Sequence, residues 1–209
     1  MGRPASGTDL KLKAAGRRLL REHGITGLSV RQTCRLAGVN TGMFHYYFGS
    51  KEEFTRTILK EMYAEFMLNL RSEAAVAGTP REKLKSTLAA VGRFAREIRK
   101  AAPMLLADMA HGNKEAFLFL SGNFTEHIKY LSALAKECRP RSAVRGHSIP
   151  YIIGALIPVM VFPVIMGGIM ERNGVKAPGG VKMADLLEEF LSDEGITGRA
   201  EIALRGIGL

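Results

Sequence analysis

Thr41, Gly42 and Met43 are small or slender side chains that directly follow Asn40, a residue able to cap a helix start. A helix that reads duplex DNA must lay its first turn close to base edges in the major groove, where bulk would hold it off. Phe44 and Phe48, four residues apart, are expected to face inward and leave His45, Tyr46 and Tyr47 on the remaining surface. Upstream, Ser29 can cap a first helix over Val30–Ala37, in which Val30, Thr33, Cys34 and Ala37 share one face. Gly38 follows, where a positive φ is needed, and Val39 plugs the turn into the core. Ser50 can cap a further helix that opens Lys51-Glu52-Glu53, with acids where the macrodipole favours them. From Leu28 to Lys51 the chain therefore reads as a helix-turn-helix reader followed by a phosphate clamp.

The run Ala37-Gly38-Val39-Asn40-Thr41-Gly42-Met43-Phe44-His45-Tyr46-Tyr47-Phe48-Gly49-Ser50-Lys51-Glu52-Glu53-Phe54 resembles the recognition-helix pattern of the TetR family of transcriptional repressors. It departs from the family at His45, where Tyr is usual, and at Met43, where a small Thr or Ala is usual. The resemblance covers about Thr8 to Lys60; beyond that the chain matches the family only in length and helical character. It implies base-facing roles for Thr41, Gly42, Met43 and His45, with Arg31 reaching from the preceding helix. It implies phosphate contacts for Tyr46, Tyr47 and Lys51, and a further one for Ser29 beside its capping role. Partial core packing is the alternative for one of the two tyrosines. The resemblance also implies a homodimer on a palindromic double-stranded DNA operator, formed by the C-terminal helices and released by a small-molecule effector.

Charge is distributed to suit this reading. Residues 1–60 carry eleven Lys/Arg against four Asp/Glu, residues 61–148 fourteen against nine, and residues 149–209 five against seven. The excess is greatest where phosphates would be neutralised. Cys34 and Cys138 have no CxxC partner, which fits a reducing cytoplasm and excludes a disulfide framework or zinc-finger spacing. The first residues are polar and basic, so no signal peptide is expected. His23, His45, His111, His127 and His147 show no metal-ligand spacing, and surface or helix-end placement is expected for them. No GxSxG elbow or phosphate loop is present. No metal, cofactor or enzymatic activity is expected.

The elements that must position the reader are all helical, and an all-α fold is expected: a head over residues 1–60 and an effector-binding and dimerisation body over 61–209. Met1 to Gly7 reads as a short arm in which Arg3 could reach a minor groove. Thr8 to His23 is amphipathic and ends at Gly24. A long helix from Lys51 to about Ala77, with Phe54, Ile58, Leu59, Met62, Phe66 and Leu70 as its apolar stripe, joins head to body. Further helices are expected from Pro80 to about Lys100, from Pro103 to near His111, over Glu115–Glu137, over about His147–Glu171, over Met183–Asp193 and over Gly198–Arg205. In the Glu115–Glu137 helix, Phe117, Leu120, Phe124, Ile128, Leu131 and Leu134 are expected to be buried.

Ile149 to Met170 contains no charged residue and is long enough to cross a bilayer, with Pro158 and Pro163 inside it. The preferred reading buries it between a ligand cavity and a subunit interface, with no stable membrane association. Leu186, Leu187, Phe190 and Leu191 form a ridge suited to that interface or to intramolecular packing. Phe94, Met104, Phe117, Phe119, Phe124, Tyr151, Met160, Phe162 and Met166 are candidates to line a cavity for a small apolar effector, on a scale of about 300–1,000 Å³. Two other functions fit the composition: a carrier or enzyme for a small apolar molecule whose basic head is incidental, and a membrane-anchored helix-turn-helix protein.

Overall fold

The structure, a computed structural model, describes residues 7–75, 78–112, 114–138 and 146–209. Among the described residues the fold is all-α. Three helices make the head: α1 (Thr8–Gly27), α2 (Val30–Ala37) and α3 (Thr41–Phe48). α4 (Lys51–Ala75) runs from the head into the body. The body adds α5 (Pro80–Ile98), α6 (Ala102–Ala110), α7 (Lys114–Cys138), α8 (Ile149–Arg172), α9 (Met183–Leu191) and α10 (Asp193–Gly206). The arm containing Arg3 and the Arg139-Pro140-Arg141 segment lie outside the described residues.

Side-chain caps set most boundaries. Ser29 Oγ accepts from the Gln32 amide at 3.5 Å, and Asn40 Oδ1 from the Met43 amide at 2.9 Å. Ser50 Oγ accepts from the Glu53 amide at 3.1 Å and starts α4. Thr79 and Glu82 form a reciprocal capping box with Pro80 in the first turn of α5. Each such cap stabilises by about 1 kcal/mol. Gly38 sits at φ 67°, the left-handed conformation that turns α2 into α3. Two boundaries differ from expectation. At Gly24 (φ 69°) the backbone leaves helical geometry, yet helical hydrogen bonding resumes to Gly27. α10 begins at Asp193 rather than Gly198, because Ser192 Oγ caps the Gly195 amide at 3.0 Å and Asp193 and Glu194 fill the first turn.

Two hydrophobic cores form, and α4 feeds both. Phe54, Ile58, Leu59 and Met62 join Leu12, Leu20, Leu28, Cys34 and Phe44 in the head core, which also takes Ala101 and Leu105 from the start of α6. One turn further along α4, Phe66, Met67 and Leu70 enter the body core with residues of α5, α7, α8 and α10. The expected α4 stripe is therefore buried throughout, but it serves two cores in succession. α1 approaches α4 closely at Gly16, where an added Cβ would collide with Ile58 and Phe54. On the outer side of the same contact, Lys13 and Arg17 pair with Glu61 at 2.6 and 3.1 Å, and Arg17 reaches Glu65 at 2.6 Å. Burial opposes ionisation of Glu61, but the two cations outweigh it and hold its carboxyl below the usual range.

α8 is long and apolar enough to cross a membrane by length and composition. It is not buried on every side. Ile152, Ile153, Leu156, Met160 and Val164 are in the body core, Ile157, Val161 and Ile165 line a cavity, and Tyr151, Val159 and Phe162 are exposed.

Candidate nucleic-acid interface and effector cavity

Phe44 is fully buried, and its ring meets Phe54 edge-on at 4.8 Å and Phe48 at 5.7 Å. That anchor fixes which side of α3 faces out. Thr41, Gly42 and His45 are exposed, Met43 is half-buried, and Arg31 is exposed on α2. An added Cβ at Gly42 would meet only Asn40 Oδ1, at 3.3 Å, so internal packing does not call for a glycine there. Cys34, buried between α2 and α3, is pushed up by desolvation, against a hydrogen bond with Thr41.

The two tyrosines separate. Tyr46 is 70% exposed, whereas Tyr47 is half-buried and packs on the head core, which is the alternative named for one of them. Their rings meet edge-on at 5.1 Å. Lys51 opens α4 half-buried, and its ammonium makes no ion pair among the described residues. Ser29 is half-buried, its oxygen already engaged as a cap. His45 Nδ1 lies 2.7 Å from the Gly49 carbonyl. A carbonyl only accepts, so Nδ1 carries the proton and the neutral ring keeps Nε2 as an acceptor. Sequence reasoning did not anticipate this tie to the C-terminal end of α3.

In the body, a cavity of about 150 Å³ lies among α4, α5, α6, α7 and α8. Of the proposed lining residues whose side chains are described, Phe94 alone contributes to it. Phe117 is 56% exposed and Phe162 60% exposed, and Tyr151 is exposed and stacks on His147 at 4.4 Å. Met160 is fully buried in the body core, Met104 borders a charged groove beside Lys100 and Arg172, and half-buried Met166 lies outside the lining. The side chains of Phe119 and Phe124, like Leu120, lie outside the described residues. The lining comes instead from Leu59, Met62, Tyr63, Val91, Ile98, Leu106, His127 and the Ile157-Val161-Ile165 stripe, among others.

Tyr63 and His127 carry the polar tips of this lining. Tyr63 Oη and His127 Nδ1 are 3.1 Å apart. Burial pushes the Tyr63 phenol up to about 12, against a hydrogen bond with the His127 backbone. His127 is 5% exposed, so it is neither the surface nor the helix-end histidine expected. Its place on the apolar face of α7, three residues before Tyr130 and four before Leu131, was the available signal.

The α9 ridge is partly engaged within the chain. Leu186, Leu187, Phe190 and Leu191 are all half-buried. An added Cβ at Gly167 would touch Leu187 at 2.9 Å, and the Arg199 guanidinium sits 5.7 Å over the Phe190 ring. The apolar face left open is on α8, where Tyr151, Gly154, Ala155, Pro158, Val159 and Phe162 are exposed at helical spacing.

Residues 12–57 match the family model described as bacterial regulatory proteins, tetR family. Over these residues the head is similar to the TetR family. The HTH-type transcriptional regulator BetI of Rhizobium meliloti is 26% identical over 74 residues, 35% of this chain and 36% of that protein. The chain thus spans about a third of the length of the curated relative it matches. Over the whole fold it is similar to a TetR transcription regulator from Haloarcula marismortui, with TM-score 0.65, 16% identity, and coverage of 93% of this chain and 97% of that one. It is similar also to the fatty acid degradation regulator FadR of Bacillus halodurans, with TM-score 0.64, 18% identity and 98% of each chain. FadR of Bacillus subtilis, solved in complex with stearoyl-CoA, aligns with TM-score 0.60, 16% identity, 88% of this chain and 98% of that one. At these identities the solved structures speak to the fold. The TetR-like head therefore sits on a body whose all-α fold is that of these solved structures.

Proposed function

We propose that this chain is a one-component transcriptional regulator, in the simplest case a repressor. It binds a palindromic DNA operator as a homodimer in the cytoplasm and is released by a small apolar effector. The observation that carries this reading is the exposed first turn of α3, with Thr41 and Gly42 presented on a helix anchored by buried Phe44. Thr41, Gly42, Met43 and His45, with Arg31, face the bases; Tyr46, Tyr47, Ser29 and Lys51 hold phosphates. Phosphate contacts position the reader and base contacts specify it. Residues 1–60 act as reader and residues 61–209 as effector-binding and dimerisation body.

One head covers half an operator, and paired half-sites about 34–36 Å apart supply the rest of the affinity. The open face of α8 supports the pairing, because Val159 and Phe162 are exposed on a helix whose opposite face fills the body core. That packing against α5, α7 and α10 also disfavours the membrane-anchored reading, since the packed face is not available to lipid.

The cavity is the effector site in this reading. Its 150 Å³ is below the usual range of about 300–1,000 Å³, so an effector enlarges it. Leu59, Met62, Tyr63 and Phe66 place α4 in its wall, and the same helix supplies the head core, so enlargement moves the reader. A near-complete switch requires about 5.5 kcal/mol of differential affinity. The acyl ligand held by the Bacillus subtilis neighbour is in keeping with an apolar effector. The test is operator anisotropy during titration with apolar compounds that raise Tm. Val161→Phe, which fills the cavity, keeps operator binding and loses the response. A compound that stabilises the body without weakening DNA binding contradicts the coupling.

A further inference from the structure

An open groove of about 630 Å³ abuts the apolar cavity, and Phe66 and Phe94 belong to the lining of both. Their rings stack at 4.4 Å and 20°, so one aromatic pair separates an apolar compartment from a charged one. The groove carries Arg21 from α1, Arg93 and Arg96 from α5 and Arg99 from its C-terminal cap, against Glu73 and Glu97. Arg93, Arg96 and Arg99 recur at i, i+3 and i+6, and the cap keeps helical φ/ψ, which puts the three along one side of the helix end. Arg93 pairs with Glu73 and Arg21 with Glu97. Arg96 donates to the Leu191 carbonyl at 2.6 Å and pairs with Asp193 at 3.1 Å. Arg99 donates to the Arg96 carbonyl at 3.4 Å and lies 3.9 Å from Glu171, and its Nε is buried without a hydrogen-bond partner. A guanidinium has five N–H donors, so these contacts leave donors over.

We propose that the effector is an amphiphile: its apolar tail occupies the cavity, and an anionic head, phosphate or carboxylate, lies in the groove on Arg93 and Arg99. This rests on the effector reading above and adds the head. A purely apolar molecule leaves those remaining guanidinium donors unmet, whereas an anionic oxygen takes charge-assisted hydrogen bonds from them. Arg21 gives the groove a contact with the reader head. Its ion pair with Glu97 joins α1 to α5, and an anion in the groove competes with Glu97 for it.

The test uses the full chain and calorimetry with dodecanol, dodecanoate, dodecyl phosphate and inorganic phosphate, the amphiphiles kept below their micellar concentrations. The expected result is that at least one anionic amphiphile binds about tenfold or more tightly than dodecanol. That advantage shrinks as salt rises and disappears in the Arg93→Gln, Arg99→Gln variant, which binds dodecanol as the parent does. Equal affinity for alcohol and anions, or an advantage unchanged in the variant, overturns the head assignment and leaves the apolar cavity standing. Inorganic phosphate binding as tightly as dodecyl phosphate overturns the two-compartment site in favour of a free-anion site. If none of the three dodecyl compounds binds, the apolar-effector reading fails and this proposal with it.

Discussion

His45 carries the sharpest prediction at the scale of single residues. With Nδ1 donating to the Gly49 carbonyl, the neutral ring offers Nε2 as an acceptor. An acceptor complements the amino group of adenine or cytosine in the major groove. His45→Ala should therefore relax preference for such a base at one position of each half-site, at a cost of about 1–3 kcal/mol against the best operator, read from competition binding. Lys51 belongs to the other class of contact. Lys51→Ala should weaken binding to all duplexes alike and lower the log Kd against log salt slope by about one unit per head. Unchanged affinity and slope would remove Lys51 from the clamp. The caps at Ser29, Asn40 and Ser50 were legible in the sequence because each is a short-range rule about one oxygen and one amide. The division between Tyr46 and Tyr47 was not, because adjacent aromatics differ only in which of them reaches the core that Phe44 and Phe54 build.

Between elements, close approach sets what can change. Gly16 lets α1 lie on α4, and Gly16→Leu should destabilise the head by about 1–3 kcal/mol through overpacking, read as a lower denaturant midpoint. At the other end of the body, Glu201 of α10 accepts from Arg81 at 2.7 Å and Arg205 at 2.8 Å and pairs with Lys85 at 3.0 Å. These hydrogen bonds, Arg81's first, hold its carboxyl far below the usual carboxylate range. A depressed folded pKa contributes stability that is present above the ordinary carboxylate pKa and lost as pH falls through the folded value. Glu201→Gln should thus lower Tm at neutral pH, with the difference from the parent closing as pH drops below the carboxylate range. An equal difference across that window would contradict it. Periodicity placed the α4 stripe correctly as buried, yet it could not tell cavity wall from core. Met160 and Val161 are neighbours on α8, and only the packing of α4, α6 and α7 decides that the second lines a space.

At the scale of the whole molecule, the proposed function requires a head that reads DNA, a body that holds an effector and an α8 face that pairs two copies. Phe162→Glu, on that face and away from the cavity lining, should yield a monomer at micromolar concentration in sedimentation, with the fold retained and operator affinity sharply reduced. A dimer of unchanged affinity would move the interface elsewhere. The charge asymmetry and the recognition-helix run made the head legible from residues 1–60 alone. The body had no comparable motif, since helices of similar apolar content can pack around many different cavities. The central claim, that the exposed turn of α3 reads a defined duplex sequence, is tested most directly by selecting bound duplexes from a random pool with the intact chain at physiological salt. The account predicts enrichment of two inverted half-sites about 34–36 Å apart, or a multiple of that spacing, with the preferred base at one position altered by Thr41 or His45 substitution. A pool that remains random, or a motif that no substitution in Thr41–His45 changes, would contradict it.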